Sequence, residues 1–177
     1  MAMNRAAATV TSLPHAPASA LHDIVRLLRP TQWSKNAVLF AALIFAKHLF
    51  QIRDVVLVSF GFLAFCAIAS GAYVMNDLRD CERDRQHPLK SQRPLPSGRV
   101  RRSTAAGLCC GLMVTGMTGA AGLGVAFAGL AGLYLLLQVG YTFWLKEVVI
   151  LDVMAIAAGF VIRAIADGVV ISVPVSP

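Results

Sequence analysis

Five stretches of this chain are apolar for about the length needed to cross a lipid bilayer, and a polypeptide with that pattern has few folds open to it. A hydrocarbon core of ~30 Å takes about 20 helical residues, and backbone amides inside it must be satisfied within the segment itself, so helices are expected. The segments are Thr31 to Phe50, Val55 to Met75, Ser103 to near Ala121, Leu123 to Leu145, and Val149 to Val170. Trp33 and Lys35 open the first at an interface, and Lys47 and His48 interrupt its far end, from which both can snorkel to the opposite surface. Pro94 and Pro96 break the chain before the third, where Ser103 is placed to cap the next helix. Lys146 and Glu147 make a tight polar turn before the fifth. Only 14% of residues are charged and the mean hydropathy is +0.68, against about 25% charged in soluble domains. The expected fold class is all-α, a polytopic transmembrane helix bundle.

A net charge of +7 raises nucleic acid as a partner, but the cations are clustered in a way that argues otherwise. Eight of the sixteen Lys and Arg lie between Arg79 and Arg102, and Arg26, Arg29 and Lys35 precede the first apolar run. Cation-rich flanks stay cytoplasmic. That predicts a multi-pass protein of the plasma (inner) membrane with a cytoplasmic N-terminus, five crossings, and the C-terminal ISVPVSP on the far side; the lipid bilayer is a partner and nucleic acid is not. Residues 1–20, rich in Ala, Thr, Ser and Pro, lack the apolar core of a signal peptide and are read as a disordered tail, with the membrane domain over 21–177. Cys66, Cys81, Cys109 and Cys110 form no CxxC pattern, so neither zinc nor a disulfide is implied. Gly107 with Gly111, Gly116 with Ala120, and Ala128 with Gly132 recur at four-residue spacing, which permits close helix packing. Three ionisable residues fall in the fifth segment. Asp152 is near its cytoplasmic start, Arg163 lies deeper and either pairs with a carboxylate or lines a polar cavity, and Asp167 is expected to reach the interface.

The chemistry concentrates at Asn76 to Gly98, NDLRDCERDRQHPLKSQRPLPSG. If the second helix continues into it, a rotation of about 100° per residue places Asn76, Asp77, Asp80 and Asp84 within a sector of about 100°, with Tyr73 on the same face. Three carboxylates and an amide, with no His or Cys at matching spacing, are hard oxygen donors suited to Mg²⁺ rather than zinc or copper. Lys90 and Arg93 follow closely, so carboxylates for a metal and cations for phosphate oxygens stand together, and a metal-bound pyrophosphate is the suggested ligand. The plainer alternative is a solvated loop. Like charges three and four residues apart repel by only ~0.2–0.5 kcal/mol per pair, which Arg79, Arg83 and Arg85 could offset without a metal.

The same segment resembles the first aspartate-rich motif of the UbiA-type intramembrane prenyltransferase superfamily, NDxxDxxxD followed by a basic stretch and RPL. RPTQWSKN at Arg29 to Asn36, DRxHPxK at Asp84 to Lys90, YTFWLK at Tyr141 to Lys146, and LDVMAIAAGFVIRAIADG at Leu151 to Gly168 make it most like the decaprenyl-phosphate phosphoribosyltransferase branch, over about residues 24 to 177. The resemblance implies a bundle of about nine helices, about five of them here, around a cavity open to the cytoplasm and to lipid. It implies transfer of phosphoribose from phosphoribosyl pyrophosphate to a polyprenyl (decaprenyl) phosphate, with Mg²⁺, in cell-wall arabinan precursor synthesis. Asn76, Asp77, Asp80 and Asp84 match the metal and pyrophosphate positions, with the three aspartates carrying catalysis. By the same analogy Lys90, Arg93 and Lys146, and after them Lys35 and Arg163, contact phosphates, and Tyr141 positions the donor. His87, next to Pro88, is read as a turn residue. The second acidic motif that the resemblance implies, after a sixth helix, is not in this sequence, so the chain by itself is expected to be an inactive fragment; homo-oligomerisation stays open. Two rival functions remain: a UbiA-type enzyme using a prenyl pyrophosphate donor with an aromatic or other apolar acceptor, and a non-catalytic membrane protein whose acidic cluster holds an ion or salt bridges.

Overall fold

A computed structural model describes residues 20–171, so the tail read over 1–20 lies, apart from Ala20, outside the described residues, as does all of ISVPVSP after Ile171. Six α-helices follow one another: α1 (Ala20–Leu28), α2 (Ala41–Phe45), α3 (Ile52–Arg85), α4 (Arg102–Gly122), α5 (Val125–Phe143) and α6 (Val149–Val170). Among the described residues there is no strand. Helices α3, α4, α5 and α6 are each long and apolar enough to cross a membrane. Exposed Phe45, Phe50, Val125, Val149 and Ile150 on the outer surface suit lipid contact. The fifth expected segment coincides with α6. The third begins near its expected start, but the residue preceding α4 is Arg101 and no side chain caps it; Ser103 sits in the first turn instead.

The first expected segment, Thr31 to Phe50, is not one α-helix. Pro30–Phe40 winds as a 3₁₀ helix, Ala41–Phe45 as one α-turn, and Lys47 then takes a left-handed φ of 61°. The cause is a repeat of three. Trp33 donates Nε1–H to Ser70 Oγ (3.0 Å), Asn36 donates Nδ2–H to Cys66 Sγ (3.2 Å), Leu39 is buried in the core, and the Ala42 amide donates to Asp167 Oδ2. A helix with three residues per turn lines up positions 33, 36 and 39, whereas 3.6 per turn would rotate each successive contact away, and the Ala42 amide contact follows at the start of α2. At ~2 Å per residue the eleven residues rise about 22 Å, and α2 adds about 7 Å, together close to the thickness of a hydrocarbon core. Asp167, expected at the interface, is fully buried because the start of α2 needs an acceptor for its free amide.

Phe65 and Ile68 of α3, Phe127, Ala131 and Tyr134 of α5, and Ile162 and Ala166 of α6 meet with Leu39 in the main core. Helices α3 and α4 approach through small residues. A Cβ at Gly116 would stand 2.8 Å from the Ala64 carbonyl oxygen, and one at Gly71 would stand 3.0 Å from Met113 Cγ. Gly107 and Gly111 share the four-residue spacing but face open space, so that pair makes no helix contact here.

Helix α3 is 34 residues, about 51 Å long, so its last turns project past any bilayer that its apolar part spans. Helix α1 docks on that projecting end. Arg99 Nε donates to both oxygens of buried Asp23 (3.1 and 3.0 Å), and Leu27 packs with Val74, Cys81, Leu95 and Val100.

Candidate active site

The helical continuation expected through Asn76 to Asp84 is present, and its polar face gathers the charged groups. Asp77 and Asp84, two helical turns apart, are both buried and both within reach of Arg93 Nη1, at 3.5 and 2.9 Å. Asp77 also accepts from Arg29 Nη2 at 2.5 Å, and Asp84 lies 3.7 Å from Lys90 Nζ. Asp80 is held at both oxygens by Lys146 Nζ, 2.7 Å each, with Arg83 Nη2 at 3.2 Å; the same ammonium donates to Asn76 Oδ1 at 3.0 Å. Five cations therefore surround three carboxylates, and the surplus is positive. An isolated set of three aspartates on one face would repel one another; interleaved with cations, they form a network in which each carboxylate has a partner.

Three local devices bring these cations in. The docked α1 delivers Arg29, whose backbone is left-handed (φ 50°) and whose guanidinium also stacks 5.0 Å over the Tyr73 ring. Lys146 comes from the turn Leu145–Glu147, tied to α3 by Arg79 donating to the Phe143 carbonyl (3.1 Å), at the C-terminus of α5, and by Arg83 at 3.7 Å from Glu147. The loop carrying Lys90 and Arg93 folds back through Arg85 Nε to the Pro96 carbonyl (3.2 Å) and Arg99 Nη2 to the Gln92 carbonyl (3.0 Å). His87 serves that turn, its Nδ1 accepting the Leu89 amide at 3.2 Å.

Of the residues expected from sequence, Asn76, Asp77, Asp80, Asp84, Lys90, Arg93 and Lys146 come together on this face. Lys35, Tyr141 and Arg163 instead line an adjoining cavity of about 130 Å³, with Tyr73, Tyr134 and Gln138. Arg163 has no carboxylate partner among the described residues; it donates to the Tyr134 hydroxyl (2.7 Å) and the Gly159 carbonyl (3.0 Å), so of its two expected roles the structure supports cavity lining. Arg26 and Arg29, which the sequence places only as cations before the first apolar run, line a second pocket of about 160 Å³ with Arg93, Pro94 and Asp77. The signal for Arg29 was present in RPTQWSKN, but its meeting with Asp77 spans 48 residues.

No three His, Cys, Asp or Glu side chains among the described residues converge as a ready metal cage. The donors fit a Mg²⁺ ion nonetheless, because that ion binds through one or two carboxylates plus substrate phosphates, and this face offers only oxygen donors beside cations suited to phosphate.

Comparison with known proteins agrees with this architecture. The chain is 36% identical over 164 residues to the decaprenyl-phosphate phosphoribosyltransferase of Corynebacterium glutamicum, covering 90% of this chain and 49% of the relative. It is 35% identical to that of Mycobacterium tuberculosis H37Rv, covering 90% and 54%, and 31% identical to the nodulation protein NoeC of Azorhizobium caulinodans, covering 83% and 48%. The chain thus spans about half the length of the curated relatives it matches. A solved structure concerning digeranylgeranylglyceryl phosphate synthase in membranes superposes with a TM-score of 0.74 over 86% of this chain and 54% of that one, at 20% identity, which shows a shared fold. Residues 37–175 match the UbiA prenyltransferase family, and the chain belongs to that family.

Proposed function

We propose that the complete protein transfers phosphoribose from phosphoribosyl pyrophosphate to a polyprenyl phosphate, decaprenyl phosphate in the first instance, with Mg²⁺, at the cytoplasmic face of the membrane. The observation that carries this reading is the polar end of α3, where Asp77, Asp80 and Asp84 are each held by a cation that could serve a phosphate instead. Identity to phosphoribosyltransferases over 90% of the chain supports the donor. The cytoplasmic placement follows from the clustering of Lys and Arg around this end, and the arabinan-precursor role follows from the sequence resemblance.

In the reaction the bond from ribose C1 to the pyrophosphate oxygen breaks, its electron pair leaves with the pyrophosphate, and an anionic oxygen of the lipid phosphate forms the new bond to C1. The nucleophile carries no proton that must be removed, so no general base is needed. One or two carboxylates from the acidic face of Asn76, Asp77, Asp80 and Asp84 would hold Mg²⁺ together with the substrate phosphates, and the ion when bound would supply neutralisation of the leaving pyrophosphate. Arg93 and Lys146 exchange their carboxylate partners for phosphate oxygens, and Lys90 and Arg29 add charge at the same place. Because these groups are already oriented by the α1 dock and the Leu145–Glu147 turn, little reorganisation is required when charge develops.

Transfer of label from phosphoribosyl pyrophosphate into the lipid fraction, measured with membranes containing the complete gene product, tests the reading. Label entering decaprenyl phosphate supports it. Label entering an apolar acceptor only from a prenyl pyrophosphate would replace it with conventional prenyl transfer, and no transfer from either donor would favour a non-catalytic role.

A further inference from the structure

Arg79 stands one position before Asp80 in the acidic motif, yet its guanidinium turns to α5. Nη2 donates to the Phe143 carbonyl at 3.1 Å, and Cζ lies 4.6 Å from the centroid of the same residue's ring. A single side chain thus grips Phe143 at two points. The carbonyl it takes belongs to the last residue of α5, where helix carbonyls lack intrahelical donors and the helix dipole favours a cation. Lys146 follows three positions later, in the turn Leu145–Glu147. Its Nζ donates to Asn76 Oδ1 at 3.0 Å and to both Asp80 oxygens at 2.7 Å each. One turn of α3, Asn76 to Asp80, therefore carries both the hold on α5 and the acceptors for the ammonium that the hold delivers.

The second tie between α3 and this turn is weaker. Arg83 Nη1 stands 3.7 Å from Glu147 Oε1, and both side chains are more than half exposed, so solvent screens the pair. The contacts of Arg79 are of a kind that lysine cannot copy: a planar guanidinium offers a face to the ring and an N–H to the carbonyl, whereas an ammonium is a compact, strongly hydrated point charge. That difference separates two roles. If Arg79 only offset the like charges of the motif, lysine would serve as well; if it holds Phe143, lysine would release the turn. We propose that Arg79 is a positioning residue for Lys146, fixing the end of α5 so that the ammonium is set against Asn76 and Asp80, where a phosphate is to be met. The inference rests on the proposed function for what Lys146 does once in place, and not for the hold itself.

Acetylation of the complete protein in detergent micelles by acetic anhydride, read residue by residue by mass spectrometry, tests the hold without catalysis. In Arg79→Lys, Lys146 should react several-fold faster than in the wild type, because its amine is no longer kept at 11% side-chain exposure, while Lys90, already 46% exposed, should react as before. Phe143→Leu keeps the carbonyl and loses the ring, so it should free Lys146 to a lesser degree. In the transfer assay Arg79→Lys should lower kcat/KM for phosphoribosyl pyrophosphate about tenfold or more, since a displaced group loses its alignment. The KM for the lipid phosphate should stay unchanged, whereas a general loss of fold would move both. On a Lys146→Gln background the same substitution should cost almost nothing, because a residue that acts through another adds nothing once that other is gone. Lys146 reactivity equal to wild type in both variants, or an Arg79→Lys loss that multiplies undiminished onto Lys146→Gln, overturns the proposal. Faster Lys146 acetylation in Arg79→Lys, where the wild type transfers no phosphoribose, would sink the proposed reaction and leave the hold standing.

Discussion

Replacing Gly116 by alanine puts a methyl carbon 2.6 Å from Ile68 Cγ1, 2.8 Å from the Ala64 carbonyl oxygen and 3.1 Å from the Ile68 amide nitrogen. The first of these atoms belongs to a side chain that can turn, but the other two are α3 backbone, so the helices must part by several tenths of an ångström. Overpacking of that kind costs about 1–3 kcal/mol. Alanine also brings a helix-propensity gain of about 1 kcal/mol over glycine, which would mask part of the loss. Gly111→Ala supplies the control, since it collects the same gain on the same helix with nothing within 4 Å of the new methyl. The difference between the two variants therefore isolates the clash. At roughly 2–4 °C per kcal/mol for a chain of this size, Gly116→Ala should melt about 2–12 °C below Gly111→Ala. A thermal ramp in micelles, read by dye labelling of buried Cys66 and Cys109 as they become accessible, measures both. Equal midpoints would show that α3 and α4 do not touch at Gly116 and that the bundle is packed otherwise.

Asp80→Ala in the complete protein should cut phosphoribosyl transfer at least a hundredfold while membrane insertion is unchanged; near wild-type rates would remove Asp80 from the metal set. Asp167→Leu should cost about 1 kcal/mol of stability relative to Asp167→Asn, because asparagine keeps an oxygen for the Ala42 amide and leucine does not. Matching unfolding midpoints for the two would show that the cap does not matter. Single cysteines at positions 91 and 176 in sealed vesicles should label from opposite sides, the first from the cytoplasmic side; labelling of both from one side would refute the topology drawn from the Lys and Arg distribution.

The acidic face was legible because one helical period governs it: α3 runs unbroken to Arg85, so angular positions read from Asn76, Asp77, Asp80 and Asp84 carry over directly. Helix α6 was legible for a similar reason, with Glu147 and Val148 marking its start after a polar turn. The 3₁₀ segment was hidden by averaging. Hydropathy over Thr31 to Phe50 reports an apolar run, whereas the conformation is set by the spacing of Trp33, Asn36, Leu39 and Ala42 against partners on α3 and α6. Small-residue spacing did not reveal which helix lies opposite, so Gly107 and Gly111 looked equivalent to Gly116 and Ala120. RPTQWSKN marks Arg29, but its meeting with Asp77, and the place of Arg26 beside it, depend on Asp23 meeting Arg99, 76 residues away.

The central claim is that this end of α3 binds a soluble sugar pyrophosphate through metal, and calorimetric titration of the detergent-solubilised complete protein with phosphoribosyl pyrophosphate tests it most directly. Binding should require Mg²⁺ and should weaken about tenfold or more in Arg93→Ala, which loses a charge-assisted contact of roughly 1.5–3 kcal/mol. Metal-dependent binding of a prenyl pyrophosphate with none of phosphoribosyl pyrophosphate, or binding of the sugar donor that is indifferent to both Mg²⁺ and Arg93, would contradict it.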